Sequence, residues 1–371
     1  MAEPSNQEEA TASFLEAFLR DTHPDSLVTG LGGYGLAAVY DSGRAGVSTL
    51  LRCELDALPM PETLAGPEGP VTRGCSHRCG HDGHMAMMCG AALDLSTSRP
   101  PSGRVTLLFQ PAEETGEGAA RVLAEAFFRD SCFDYAIALH NLPGFTMGSV
   151  ILGEGRFAAA SEGLIARLSG DSSHAAEPEK GRSPGKVFPY IISALSEVPQ
   201  HSAGLQDSAK VTVIHARLGE VAFGTSPGKA VIMATLRAFD EKVMNALRTE
   251  CESVCRRLSS AFGIDCEISR TQSFPATAND PAAVEVVRRA ALSLGLGIHE
   301  VRRPFPWSED FGHFTSVFRG ALVGLGSGLE QPPLHHPEYV FPDELLETGR
   351  TLITSIAGAL ADAGESGEDL S

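Results

Sequence analysis

The sequence predicts an α/β protein of two domains, the first with a buried and largely parallel sheet. Short apolar runs that stop at Gly or Pro alternate with helical stretches, and strands that are apolar throughout are typical of sheets covered on both faces. The chain has 371 residues, more than one hydrophobic core usually supports. The apolar runs include residues 47–51, 105–109, 135–139 and 320–325, and the helical stretches include 7–20, 85–95 and 119–128.

The pattern changes between about residue 160 and residue 272. The order there is βαββαβ, which is typical of a compact ferredoxin-like unit. Such a unit can be inserted whole because its ends lie close together, so we place it as a second domain that interrupts the first. The predicted elements are strands at 162–169, 211–218, 229–238 and 264–270 and helices at 184–197 and 241–262.

The composition excludes several classes of protein. There are 47 Asp and Glu against 29 Lys and Arg, for a formal net charge of −18, and no basic cluster that could replace the counterions of a nucleic acid. No apolar run reaches the ~18 residues of a membrane span, and the acidic N-terminal segment does not resemble a signal peptide. Eight Cys at irregular spacings are too sparse for a disulfide scaffold, which predicts reduced thiols and a cytoplasmic protein.

The densest group of metal-type side chains is RCGHDGH at residues 78–84. Cys79 and His81 converge only where the backbone is extended or turning, which Gly80 and Gly83 permit. An apolar helical stretch follows, whose N-terminus adds positive charge beside a thiolate, and thiolate and imidazole both bind first-row metals. A structural zinc knuckle and a set of incidental core residues are the alternatives; the close spacing disfavours the first and the density of His and Cys the second.

A second group, FQPAEETGEGA at residues 109–119, contains the adjacent carboxylates Glu113 and Glu114. Pro111 would end the preceding strand, so the pair lies just past a carboxyl end, where sites form in open α/β sheets. Adjacent carboxylates point in different directions, so one can bind a metal while the other reaches a bound water. For this segment alone, a solvated acidic loop is the alternative.

Two histidine segments complete the pattern. His140 ends the apolar run 135–139, and His335 and His336 stand between prolines. A lone histidine at a strand end is more often structural than a ligand. Four separate segments that each offer a metal-type ligand are far more specific together, and they predict a metal centre.

Together these segments resemble metallopeptidase family twenty, subfamily D, which includes aminoacylase-like amidohydrolases, hippurate hydrolases, carboxypeptidases and plant indole-acetyl-amino-acid hydrolases. The resemblance implies an α/β sandwich catalytic domain at 1–158 and 273–371 and an inserted lid domain at 159–272. It runs in the family's order over nearly the whole chain. The matching segments are ELDALPMPE (54–62), RCGHDGHMAMM (78–88), FQPAEETGEGA (109–119), ALHNLPG (138–144), SSHAAEPEKGRSP (172–184), WSEDFGHF (307–314) and LHHPEYVFPDE (334–344).

The resemblance also implies roles for individual residues. It implies two divalent metal ions, zinc or manganese, with Glu113 as the general base and the lid residue His174 beside the developing oxyanion. Arg237, at the end of a predicted strand, is a candidate to receive a substrate carboxylate, with a solvated arginine as the equal alternative. The implied metal ligands are Cys79, His81, Glu114, His140 and His335, and supporting roles fall to Asp56, Asp82, Glu309 and Asp310.

Three positions depart from the family's pattern. Gly224, in GEVAFGTSPGKA, lies near the position of an Asn in the family's lid, and Gly has no side-chain amide that could hold a substrate carbonyl or carboxylate. Thr115 interrupts a stretch that is often rich in Gly. Glu54 stands where distant relatives have a metal-ligand His, although the subfamily lacks that His too.

The expected function is hydrolysis of the amide bond of an N-acyl amino acid or similar small amide, with a carboxypeptidase or dipeptidase as near variants. Removal of an amino group from a small amine, with release of ammonia, is an alternative for the same activated water. A metal-binding protein without catalysis is the alternative from another class, against which Glu113 and His174 argue. The lid's outer strand is a candidate for pairing two chains across a two-fold axis.

Overall fold

The computed structural model describes residues 2–66, 69–205 and 207–366. The helices and strands are numbered here through the whole chain, and two short 3-10 turns lie at Pro178–Lys180 and Pro184–Lys186. In chain order the elements are α1 (Glu9–Asp21), β1 (Ser26–Leu31), β2 (Gly35–Asp41), β3 (Ser48–Glu54), β4 (Glu62–Gly66), β5 (Gly69–Arg73), α2 (His81–Thr97), β6 (Arg104–Gln110), α3 (Gly118–Ala124), α4 (Ala126–Asp130), β7 (Tyr135–Leu142), β8 (Val150–Leu152), β9 (Gly155–Ala158), β10 (Ala160–Ser169), β11 (Ser173–His174), α5 (Phe188–Ser202), β12 (Ala209–Leu218), β13 (Thr225–Ser226), β14 (Lys229–Ala238), α6 (Glu241–Ala261), β15 (Asp265–Phe274), β16 (Thr277–Asn279), α7 (Pro281–Ser293), β17 (Ile298–Glu300), α8 (Gly312–Thr315), β18 (Arg319–Gly326) and α9 (Leu345–Ser366).

The chain divides into two compact units. The second unit comprises Ala158–Ala276 and Phe305–Ser308, and the first unit contains the rest. The longer segment of the second unit, Ala158–Ala276, has boundaries within a few residues of those predicted for the inserted domain, 159–272. The short segment was assigned by sequence to the first domain, but Ala159 N donates to the carbonyl oxygens of Phe305 and Trp307, at 3.2 and 3.0 Å, which ties it to the second unit.

The first unit contains a mixed sheet with the strand order β1-β2-β6-β3-β7-β18-β8-β17. Its centre, β6-β3-β7-β18, is parallel, and antiparallel pairs flank it. Every residue of β3 and β7 is buried, as expected of strands that are covered on both faces. The carboxyl ends of β6, β3 and β7 therefore meet at one edge, which is the edge where α/β proteins build their sites.

Apolar side chains hold the helices of this unit against its sheet. The cluster joins Leu51 of β3 to Met88 of α2, Val287 of α7 and Ile356 of α9, all of them nearly inaccessible to solvent. Burying one such side chain stabilises a fold by about 1.5–3 kcal/mol. The edge that bears the strand ends is thus anchored in a continuous core.

The second unit has the predicted order βαββαβ, formed by β10, α5, β12, β14, α6 and β15. Its sheet is antiparallel with the order β12-β14-β10-β15. Side chains of β14 alternate between buried and partly exposed, because one face of the sheet packs against the two helices. The helix predicted from residue 184 begins only at Phe188, since Pro184–Lys186 forms a 3-10 turn first.

The sequence predicts that the protein has no membrane partner. In the described part of the chain, no helix is both long and apolar enough to cross a bilayer. The cytoplasmic location stays a prediction.

Candidate metal centre

The chain turns at Gly80 and brings Cys79 and His81 together. Gly80 has a φ of +91°, in the left-handed region that glycine adopts without strain. A Cβ at this position would lie 2.6 Å from Oδ1 of Asn141, so close packing also requires glycine. Helix α2 begins at His81, which places the positive end of its dipole beside the thiol.

Asp82 and Gly83, which follow His81 in helix α2, do not contribute a side chain to the group of possible ligands. Gly83 lies inside α2, where a Cβ would come within 2.5 Å of the Phe341 ring, so glycine is needed there for packing rather than for a turn. Asp82 is exposed, and its Oδ1 accepts a hydrogen bond from Gly83 N at 3.0 Å. The structure therefore leaves Asp82 outside the group of ligand-type side chains.

Glu113 and Glu114 lie in the turn that follows β6. A Cβ on Gly118 would come within 1.7 Å of Pro111 O, so the turn closes only with glycine there. Glu113 Oε2 lies 3.9 Å from Nε2 of His81, and Glu114 Oε1 lies 4.0 Å from the same nitrogen. The two adjacent carboxylates thus approach one imidazole.

Two more histidines reach the same place from distant parts of the chain. His140 lies inside β7, two residues before the strand ends at Leu142, and not at the strand end as the sequence suggested. Its Nε2 is 3.5 Å from Cys79 Sγ. His335 is exposed, and its Nε2 lies 3.6 Å from Glu114 Oε2.

These side chains form overlapping groups of possible metal ligands. Within each group the ligand atoms lie within 4.8 Å of one another. A mixture of thiolate, imidazole and carboxylate suits zinc and other first-row divalent metals. The groups are Cys79 with His81 and His140, Cys79 with Glu114 and His335, and His81 with Glu113 and Glu114.

Hydrogen bonds orient the imidazole of His81 for ligation. Its Nδ1 donates to Asp56 O at 2.8 Å, since a carbonyl oxygen can only accept, and Nε2 is left facing the carboxylates. His81 Nε2 and Glu114 Oε1 are both buried and have no hydrogen-bond partner among the described residues. Such atoms cost about 1–3 kcal/mol each when unpaired, so a pair of them side by side fits a cation site.

The buried groups carry more negative charge than their surroundings can solvate. Burial raises the pKa of the Cys79 thiol well above its usual range, and nearby carboxylates raise it further. Burial raises the pKa of Glu113 in the same way and that of Glu114 to about 7. Burial lowers the pKa of His81, but its hydrogen bond with Asp56 and the nearby carboxylates outweigh this and raise it to about 10. Protons or cations must balance these charges, and divalent ions would do so when they bind.

A buried arginine that the motifs did not reveal, Arg52, pairs with three carboxylates near the possible ligands. The guanidinium of Arg52 is fully buried and pairs with Glu54, with Glu309 at 3.0 Å and with Asp310 at 2.7 Å. It also donates to Gln110 Oε1 at 2.9 Å. Charges are almost never buried without partners, so the charged pair at 52 and 54 within an apolar strand was the signal that could have found this network.

Three of the residues predicted to support the site are bound into it. Asp56 Oδ2 accepts a hydrogen bond from Glu114 N at 3.0 Å. Asp310 accepts from Ala119 N at 2.9 Å, and Glu309 pairs with the buried arginine. Glu54 binds that arginine and His84, whose Nδ1 is 2.7 Å from Glu54 Oε2.

The remaining predicted residues lie in the second unit. His174, in β11, is exposed, and its Nδ1 accepts a hydrogen bond from Ala176 N at 3.1 Å. A Cβ on Gly224 would meet nothing within 4 Å. Arg237, at the end of β14, donates to Pro306 O and to the Ser308 hydroxyl and lines a cavity of about 480 Å³.

Most of the chain matches the model of a known protein family. The model of peptidase family M20/M25/M40 matches residues 50–358, which is most of the chain. The chain belongs to this family. The predicted resemblance is thereby confirmed, and so is the prediction of a hydrolase.

Two curated relatives of this M20-family chain have named activities. It is 29% identical over 368 residues to an N-acetyl-L-cysteine deacetylase of Bacillus subtilis (strain 168), covering 98% of this chain and 86% of the relative. It is 29% identical over 329 residues to a hippurate hydrolase of Campylobacter jejuni, covering 88% of this chain and 85% of the relative. The family and these relatives support metal-dependent hydrolysis of an amide bond as the class of reaction.

Two solved structures share the fold of this chain. The Bacillus subtilis YXEP protein, a dinuclear metal-binding peptidase, superposes with a TM-score of 0.80 at 23% identity, covering 97% of this chain and 94% of that chain. The aminobenzoyl-glutamate utilization protein of Klebsiella pneumoniae has a TM-score of 0.75 at 20% identity, covering 96% and 92%. The two-domain α/β fold predicted from the sequence is confirmed by these likenesses.

Proposed function

We propose that this protein is a metal-dependent amidohydrolase that cleaves the amide bond of an N-acyl amino acid or a similar small amide. The observation that carries the proposal is the meeting of a thiol, imidazoles and two adjacent carboxylates at the carboxyl edge of the parallel strands. Storage of a metal requires no base beside the ligands, whereas hydrolysis does. The names of the two curated relatives, both of which act on acyl amides, support this class of substrate.

Five side chains would hold two divalent metal ions. Glu114 has one oxygen 4.0 Å from His81 Nε2 and the other 3.6 Å from His335 Nε2, so a single carboxylate faces two groups of ligands. When bound, the ions would polarise the amide carbonyl and lower the pKa of a water toward about 7. Thiolate and imidazole favour zinc, and the carboxylates also suit manganese. The proposed ligands are Cys79, His81, Glu114, His140 and His335.

Glu113 is the proposed general base. Its carboxylate is buried beside the ligands, with Oε2 3.9 Å from His81 Nε2. It would take a proton from the attacking water and deliver that proton to the nitrogen of the leaving amine. Burial raises the pKa of Glu113, which lets the carboxyl group hold the proton between these two steps.

Two side chains of the second unit are proposed to act on the substrate. Nδ1 of His174 accepts a backbone hydrogen bond, so in the neutral imidazole Nε2 carries the proton and can donate to an oxyanion. Arg237 lines a cavity together with Lys210 and Asp207, and the two cationic side chains support recognition of a substrate carboxylate. Gly224 offers no side-chain amide for that purpose, so the substrate's polar groups would depend more on Arg237.

The outer strand β12 supports the proposal of a homodimer. It is an edge strand, and Ile214 and Leu218 are exposed on it. An unpaired edge with exposed apolar residues can pair with the same edge of a second chain across a two-fold axis. Light scattering on the purified protein distinguishes a dimer from a monomer.

The decisive experiment measures metal content and turnover together. Protein purified without chelator is analysed by plasma mass spectrometry and assayed on N-acetyl, N-benzoyl and dipeptide substrates, with and without added zinc or manganese. Two metals per chain and metal-restored release of an amine from one substrate class are the expected results. Release of ammonia without a carboxylic acid would instead favour the deaminating alternative, and bound metal without any turnover would favour a binding protein.

A further inference from the structure

A short N-terminal arm, residues 3–8, contacts the turns that carry the candidate metal centre. Ser5 Oγ donates to Asp56 Oδ2 at 2.6 Å. The same oxygen accepts the hydrogen bond from Glu114 N, and the carbonyl of Asp56 binds the imidazole of His81. The arm is therefore hydrogen-bonded to Asp56, which in turn binds two of the proposed ligands, Glu114 and His81.

The last residue of the arm is an acid that is buried completely. Glu8 has no exposed surface, and its Oε1 accepts hydrogen bonds from Ala112 N at 2.8 Å and from Asn6 N at 3.0 Å. Its Oε2 has no hydrogen-bond partner among the described residues. Burying a carboxylate without a cation is unfavourable, so its presence requires an explanation. The contact with Ala112, directly before Glu113, provides one.

Ala112 has an unusual backbone conformation. Its φ is +52°, in the left-handed region that side chains with a Cβ adopt rarely. Such a residue keeps this conformation only where surrounding contacts enforce it, and the conformation sets the direction of the chain that follows. The Glu8 carboxylate supplies an enforcing contact at the amide of Ala112, while Gly118 N donates to its carbonyl at 3.1 Å.

We infer that Glu8 is a positioning residue for hydrolysis, which holds Ala112 in the left-handed conformation and thereby directs Glu113 toward the substrate. This inference rests on the proposed function, in which Glu113 is the base. Glu8 does not itself touch the ligand atoms in the structure. It acts through the backbone of the turn.

Four variants separate this role from a general effect on folding. Glu8→Met removes the acceptor and fills a similar volume, whereas Glu8→Gln keeps an oxygen that can accept from Ala112. Glu8→Met combined with Ala112→Gly supplies a turn residue that adopts a positive φ without help. Glu3→Met is the matched control, because Glu3 is a carboxylate of the same arm that accepts from Thr11 N at 2.7 Å at the start of α1.

The expected effects fall on kcat. Since a displacement of about 1 Å in a catalytic group can cost about 10²-fold, we expect Glu8→Met to lower kcat by about 10- to 100-fold with little change in KM. Glu8→Gln should keep most of the parent's kcat, and Ala112→Gly should restore most of what Glu8→Met loses. Glu3→Met should lower the melting temperature and leave kcat unchanged. A Glu8→Met variant with the parent's kcat, or a double variant that recovers nothing, would overturn the inference.

Hydrogen exchange at the Ala112 amide tests the contact without any turnover. We expect slow exchange in the parent and in Glu3→Met and faster exchange in Glu8→Met. A parent that hydrolyses no amide but shows this difference would refute the proposed function and leave the structural role of Glu8 in place. If Glu8→Met does not accumulate as folded protein, exchange is measured on the parent protein alone. Exchange of the Ala112 amide as fast as that of an exposed amide would overturn the inference. Slow exchange of this amide would support it.

Discussion

The two units hold their functional side chains in opposite ways. In the first unit, Arg52 is fully buried and pairs with several carboxylates, so each charge depends on the others. In the second unit, His174 is exposed with a backbone hydrogen bond to its ring, and a side chain at Gly224 would enter open space. Replacing Arg52 leaves buried carboxylates unpaired, whereas a change at His174 or Gly224 should cost the fold little. We therefore expect substitutions in the buried network to lower the stability of the fold, and substitutions at the two exposed positions to change activity or substrate choice with little change in stability.

The largest effect is expected from the proposed base. Glu113→Gln keeps the volume of the side chain but removes its ability to take a proton, so kcat should fall by about 10²–10⁴-fold. Metal content, measured by plasma mass spectrometry, should stay the same. Near-parental turnover in this variant would show that another group is the base.

The next test removes the buried cation of the first unit. Arg52→Met leaves Glu309 and Asp310 buried without their partner and should lower the free energy of unfolding by about 3–5 kcal/mol. Urea unfolding measures this. The control is Arg20→Met, since Arg20 pairs with Glu16 on the surface with 65% of its side chain exposed, and such pairs contribute about 0–1 kcal/mol. Equal effects of the two changes would contradict the contrast between a buried network and a surface pair.

The corresponding test in the second unit separates activity from stability. His174→Ala removes a proposed donor to the oxyanion and should lower kcat by about 10²–10³-fold. Because the side chain is exposed, the free energy of unfolding should change by less than about 0.5 kcal/mol. His201→Ala, at another exposed histidine of the same unit in the last turn of α5, should change neither quantity. A large loss of stability with His174→Ala would place that residue in the fold rather than in the chemistry.

A test by pH examines the charge of the first unit. The pKa of His81 is raised to about 10 and that of Glu114 to about 7, so the folded metal-free protein binds more protons than the unfolded chain. Burial lowers the pKa of His140 to about 3, and this opposing contribution is complete above pH 6.5. The stability of chelator-treated protein should therefore fall as the pH rises from 6.5 to 10.

Unfolding by urea at several pH values, with chelator or with saturating zinc, measures that dependence. Bound metal requires the deprotonated ligands, so the metal-loaded protein should lose much less stability over the same range. A metal-free protein that becomes more stable between pH 6.5 and 10 would contradict the assigned directions of these pKa shifts.

The smallest effect is expected where the second unit departs from the family's pattern. Gly224→Asn introduces an amide into open space, so stability should stay within about 0.5 kcal/mol of the parent. We expect the change to act on KM and on the ranking of substrates. A panel of N-acyl amino acids measures both, and an unchanged ranking would remove this position from substrate recognition.

Several features were predictable because they depend on local spacing. The glycine turn between Cys79 and His81 and the carboxylate pair after β6 follow from residues next to each other in sequence. The order of elements βαββαβ along the second unit followed from the alternation of predicted strands and helices. Asp82 belongs to the same motif as Cys79, yet it lies exposed on α2, since a helix turns neighbouring side chains to different faces.

By itself, the sequence determined the α/β class and the family and named five candidate metal ligands, because each of these is expressed in local patterns and motifs. Tertiary structure alone decided which partners those side chains have. Arg52 meets Glu309, and Glu8 meets Ala112, across separations of 257 and 104 residues. Such pairs depend on the packing of whole elements, and only the folded chain shows which buried charges are compensated and which are left for a metal ion.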